Sequence, residues 1–141
     1  MNNKFKECIK RGKIKDFSRG KYLVKKELNL AKEDLRFAKI SFKEKNYRWS
    51  IVQTYYSMFH SARSLLFNKN YREHSHFCLI EALRELYVKD GLVNVIIMES
   101  FIKAKRLREA ADYYGDFSEL NANKLLNDAE KFIDEVIKII N

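Results

Sequence analysis

From residue 22 to residue 140 the chain carries five apolar stripes at helical spacing, separated by short polar breaks. In the first, Leu28, Leu35 and Phe42 repeat every seven residues with Ala31 and Ala38 beside them, which predicts a helix over residues 22–45. Its other face holds Lys25, Lys26, Lys32, Lys39 and Lys43. Asn46 ends this helix or starts the next. The second stripe, Ile51, Tyr55, Met58, Phe59, Ala62, Leu65 and Leu66, predicts a helix over 47–67. It is wide, so this helix should be the central, most buried one. Polar residues 68–75 read as a connection. Leu79, Ile80, Leu83, Leu86 and Tyr87 predict a helix over 76–88, closed by the turn signal Asp90-Gly91. The fourth helix is expected over 92–113, with Val95, Ile96, Met98 or Glu99, Ile102, Leu107 and Ala110 inward. After the break at Tyr114-Gly115-Asp116-Phe117, Ser118 is a good N-cap for a fifth helix over 119–140. Its stripe is Leu125, Ala129, Phe132, Val136 and Ile140.

Short connections make neighbouring helices pack antiparallel. The expectation is an all-α, up-and-down antiparallel bundle of four to five helices. Residues 1–20 are read as an N-terminal extension with a short extra element, where Phe5 and Ile9 allow one or two helical turns. Residues 21–141 are read as one bundle domain. Composition agrees: proline is absent and glycine occurs four times, too few turn residues for a sandwich or barrel. At 141 residues the chain is long enough to bury a core without metal or disulfide staples.

Charge changes the picture more. The net charge is +9, but residues 1–48 carry 16 basic and 6 acidic side chains while the remainder is nearly balanced. A basic nucleic-acid-binding module is one reading of that asymmetry; a solvated lysine face is the other. Few aromatics interleave the basic run, so a stacking platform for single strands is not supported there. Cys8 and Cys78 make no disulfide framework, and Cys78 reads as a small core residue. With no apolar run of spanning length and no signal-type leader, the expectation is a reduced, cytoplasmic protein without a membrane segment.

No glycine-rich phosphate loop, CxxC or HExxH occurs, and no metal or cofactor is expected. Two segments are unusual for plain core. Tyr55–Arg63 alternates bulky aromatics with serine and alanine, although aromatic packing explains most of it. In Lys103–Tyr114, Arg108 and Asp112 are four apart and can pair, and Arg106 and Tyr113 share a face at seven apart. Guanidinium, carboxylate and phenol near a helix end could hold a phosphate; a surface ion pair is the simpler alternative.

These segments, in this order, resemble the HEPN domain family (higher eukaryotes and prokaryotes nucleotide-binding), of the stand-alone prokaryotic type. The residues that carry the likeness are Ala31-x-x-Asp34-Leu35-x-x-Ala38, then Tyr55-Tyr56-x-Met58-Phe59-x-x-Ala62-x-x-Leu65-Leu66, then Ser75-His76, Arg108-x-x-Ala111-Asp112-Tyr113 and Ala129-x-x-Phe132. The resemblance implies a helical bundle, a homodimer, and a minimal nucleotidyltransferase partner in a toxin–antitoxin pair. Active members of that family are metal-independent ribonucleases carrying an arginine, four to six intervening residues, and then a histidine. Here no histidine follows His76. If Arg106 matches the arginine, Ala111 stands for the histidine; if Arg108 does, Tyr113 does. The reading that follows is a non-catalytic dimeric partner of a nucleotidyltransferase, with Arg106, Arg108, Asp112 and Tyr113 as candidates for nucleotide binding and Tyr113 as a candidate for adenylylation. The enzyme alternative is a divergent ribonuclease acting on RNA, for which Arg72 and His76 are secondary candidates.

Overall fold

A computed structural model describes residues 2–141. Among the described residues six α-helices and two short strands that pair antiparallel follow in chain order: α1 (Asn3–Lys10), β1 (Ile14–Asp16), α2 (Gly20–Lys43), α3 (Tyr47–Phe67), β2 (Tyr71–Glu73), α4 (His76–Leu83), α5 (Val95–Tyr114) and α6 (Glu119–Ile140). The all-α bundle expected from the stripes is the fold found. α3 is central and packs against α2, α4, α5 and α6. Asn46 and Ser118 act as N-caps, their side chains accepting from the amides of Trp49 and Asn121 at 3.2 and 3.0 Å. Gly115 closes α5 in the left-handed region at φ 62°, where a Cβ would be strained.

One seam of α3 explains its centrality. Ser50, Thr54, Ser57, Ser61 and Ser64 are fully buried, and these small side chains let the neighbouring helices approach closely. Most of their hydroxyls find backbone acceptors: Ser50 donates to Ala38 O at 2.9 Å, Thr54 to Ser50 O at 2.7 Å and Ser61 to Ser57 O at 3.0 Å. The apolar core lies between α3, α5 and α6, around Met58, Leu65, Phe101, Leu125 and Phe132.

Four details differ from the expectations. The polar connection after α3 contains β2, which pairs antiparallel with β1 in the register Ile14–Glu73, Lys15–Arg72, Asp16–Tyr71. The third helix is α-helical only to Leu83 and widens into a π turn over Arg84–Val88. α5 starts at Val95, and its inward stripe is Met98, Phe101, Ala104 and Ala111; Ile96 is 76% exposed. The apolar residues at the start of that segment are numerous on every side, so the period alone selected the wrong face.

The fourth difference is chemical. Cys8 and Cys78 are joined by a disulfide across 70 residues, with Cα atoms 5.7 Å apart, within the usual range for such a bond. The expectation of reduced cysteines is therefore corrected. α1 folds back onto α4 so that Phe5 is fully buried against the edge of Tyr71 and Cys8 meets the first turn of α4. Sequence spacing could not show this, because the approach depends on a tertiary return of the chain. No helix among the described residues is long and apolar enough to cross a membrane.

Candidate functional site

α3, the start of α4 and the second half of α5 converge on one phenol. Tyr55 projects from α3 away from the serine seam and is buried. Its ring lies nearly parallel to Phe101 of α5, with centroids 6.3 Å apart, and stacks on the imidazole of His76 at 6.0 Å. Phe101 also touches the imidazole, at 5.2 Å. The guanidinium of Arg108 sits over the Tyr55 ring at 4.9 Å and reaches the Tyr113 ring at 5.9 Å. His76 and Arg108 thus flank the same phenol from two helices.

The local sequence dictates these positions. Ser75 caps α4, accepting from the Cys78 amide at 3.1 Å, which makes His76 the first helical residue. Arg108 follows Ala104 by four and Phe101 by seven, so it continues the inward stripe of α5. Arg106 lies two residues away, about 200° around the helix, and is exposed. It is not brought into the cluster.

Asp112 binds two cations. One carboxylate oxygen accepts from Arg48 at 3.1 Å, and the other lies 3.6 Å from Arg108. Arg48, at the N-terminus of α3, also donates to the carbonyl of Ala111 at 3.2 Å. The pairing of Arg108 with Asp112 was legible from their spacing; Arg48 was not, since nothing in its neighbourhood marks it. Tyr113 is 67% exposed. Arg72 lies in β2, exposed, with its guanidinium over Phe17, and takes no part.

Burial sets the electrostatics. The imidazole of His76 is held neutral, its pKa pushed down to about 4 by burial and then by the positive charges of Lys105 and Arg108. Burial raises the Tyr55 phenol to about 12, partly opposed by Arg108. Among the described residues, His76 Nε2 and Arg108 Nε are buried polar atoms with no hydrogen-bond partner, as is Ser57 Oγ on the serine seam. Two unmet nitrogen atoms, one of an imidazole and one of a guanidinium, therefore flank one ring. A neutral imidazole can take a proton, and an arginine beside it can bind an anion such as a phosphate. α5 carries no histidine after Arg108, and the imidazole that shares the Tyr55 ring with Arg108 comes from α4.

The other histidines lie elsewhere. His60 is held between Glu27, at 2.6 Å from Nδ1, and Asp34, at 3.7 Å from Nε2, bridging α3 to α2. Burial raises the Asp34 pKa, partly offset by His60. His74 is exposed. No group of three or more His, Cys, Asp or Glu side chains able to hold a metal ion is present among the described residues.

Comparison with known proteins agrees with the residue pattern. The family model described as HEPN domain matches residues 24–140. The chain is 34% identical over 114 residues to the Putative toxin MJ0605 of Methanocaldococcus jannaschii, covering 80% of this chain and 85% of that protein. It is 27% identical over 116 residues to the UPF0332 protein glr0978 of Gloeobacter violaceus, covering 80% of this chain and 92% of that one.

Proposed function

Because the chain belongs to the HEPN domain family, we propose that it is a toxin-type protein of that family whose His76–Arg108 site binds and cleaves an RNA phosphodiester. The observation that carries this reading is the convergence of His76 and Arg108 on Tyr55 with His76 Nε2 and Arg108 Nε both unpartnered. Buried polar atoms are paired in the large majority of cases, so two unpaired nitrogens on one ring support a binding role.

The chemistry follows from the protonation states. His76, neutral at pH 7, takes the proton from a ribose 2′-hydroxyl. The 2′ oxygen attacks the adjacent phosphorus, and the bond from phosphorus to the 5′ oxygen breaks. The proton returns from His76 to that leaving oxygen, giving a 2′,3′-cyclic phosphate and a 5′-hydroxyl. Arg108 neutralises the charge that builds on the non-bridging oxygens. Asp112, held by Arg48, orients Arg108 from the other side.

The purified protein is tested on a labelled single-stranded RNA beside His76→Ala and Arg108→Ala. Cleavage with cyclic-phosphate ends, lost in both variants, supports the reading. RNA left intact by the unaltered protein counts against it and favours the non-catalytic alternative.

Exposure of Tyr113 favours a second reading. Its phenol stands open at the end of α5, within reach of a modifying enzyme. In this reading the protein works as a homodimer with a minimal nucleotidyltransferase, which transfers AMP to Tyr113 and so blocks the neighbouring Arg108. Intact mass after co-expression with the nucleotidyltransferase tests it: one added adenylyl group on the wild type and none on Tyr113→Phe is the expected result, and no added mass is the contrary one.

A further inference from the structure

We propose that the Cys8–Cys78 bond is a thiol-responsive latch that clamps α1 over the start of α4 and thereby holds His76 in place. The bond joins α1 to the residue two after His76. The hydrogen bonds around it run along the same line. Lys13 donates to the carbonyl of Cys8 at 2.8 Å, and His74 donates to the carbonyl of Lys13 at 2.8 Å. Together they tie α1, β1 and the segment entering α4 into one unit. Without the bond α1 keeps Phe5 in the core and the hydrogen bond from Asn2 to Glu85 at 3.1 Å. Eight residues are too few to stay helical on their own. Opening the bond therefore lets α1 fray, and the first turn of α4 loses its covalent support.

Both cysteines are nearly buried, and the side on which a reductant would approach them is a groove. Cys8 and Cys78 line a surface groove of about 490 Å³ together with Lys4, Lys13, Phe77 and the Arg11–Glu7 ion pair. Lys4 and Lys13, which exceed the one carboxylate there, suit an anionic thiol. Cys78 occupies the third position of α4, where the helix N-terminus stabilises a thiolate. It is the better leaving group, so the incoming thiolate attacks Sγ of Cys8. The Cys8–Cys78 bond breaks as the mixed disulfide forms, and Cys78 departs as thiolate. A second thiolate attacks the mixed disulfide, releasing the oxidised small disulfide and the Cys8 thiolate. Two electrons pass from the two thiols to the protein, and both cysteines end as thiols after protonation.

The latch is independent of the cleavage reading, because its test is read on the fold and not on RNA. Protein purified without reductant is digested without reduction, to find the Cys8–Cys78 peptide pair. Amide hydrogen exchange is then compared between the untreated chain, the chain treated with dithiothreitol, and the separate Cys8→Ser and Cys78→Ser variants. Residues 3–16 and 74–79 should exchange at least tenfold faster in the last three, while α3 and α6 keep their protection and certify the fold. Free alkylation of both cysteines without reductant would overturn the proposal. So would equal exchange in residues 3–16 and 74–79 before and after treatment.

Discussion

α3 presents two polar faces, and they are built differently. On the serine seam nearly every hydroxyl closes on a backbone carbonyl of its own helix or of α2. On the opposite side Tyr55, His76 and Arg108 stack through their rings and leave nitrogen atoms unmet. Burying a polar atom without a partner costs about 1–3 kcal/mol. The seam bears that cost at one hydroxyl of five, Ser57, and otherwise serves packing, whereas the Tyr55 corner bears it at both His76 Nε2 and Arg108 Nε. Ser57 Oγ is the one seam hydroxyl without a hydrogen-bond partner among the described residues.

Substitutions can break this contrast at either face. The largest effect is expected at the corner: His76→Ala or Arg108→Ala should lower RNA cleavage by about 10²–10⁴-fold with little change in thermal unfolding, measured by a cleavage assay beside circular dichroism. Away from both faces, Phe132→Ala removes a fully buried ring against Phe101 and should cost about 3–5 kcal/mol in urea unfolding. Removing the 70-residue cross-link with Cys8→Ser should cost roughly 4 kcal/mol by the loop-entropy argument, in the same measurement without reductant. At the seam, Ser50→Ala should cost about 1 kcal/mol, because it deletes one satisfied hydrogen bond and leaves the Ala38 carbonyl short of a donor.

The contrast also has a pH signature. His76 takes up its proton near pH 4 when folded and near its ordinary value of 6.5 when unfolded. Between those values the unfolded chain binds a proton that the folded chain refuses. Stability contributed by His76 is therefore complete above about pH 6.5 and lost as the pH falls toward 4. Denaturant titrations at pH 7 and pH 4.5 should show a smaller loss for His76→Phe than for the wild type.

The stripes of α2, α3 and α6 were readable because each repeats at helical period for about four turns, and the caps of α3 and α6, Asn46 and Ser118, are strong side-chain acceptors. The face of α5 was not, since Val95 and Ile96 add apolar residues outside the true stripe of Met98, Phe101, Ala104 and Ala111. Within the site, the pairing of Arg108 with Asp112 could be seen from local spacing. His76 was visible as a motif residue opening a helix, but a search along one helix for a histidine after the arginine could not find an imidazole arriving from another. Arg48 and the disulfide are likewise long-range: each joins segments more than sixty residues apart, beyond what periodicity encodes.

The central proposal is that the neutral, half-buried imidazole of His76, against the Tyr55 ring with Arg108, does the proton transfer. The most direct test is the pH dependence of kcat/KM for RNA cleavage by the unaltered protein. The account predicts a rising limb near pH 4 and a flat profile through neutrality. A rising limb near 6.5, or one that persists in His76→Ala, would contradict it.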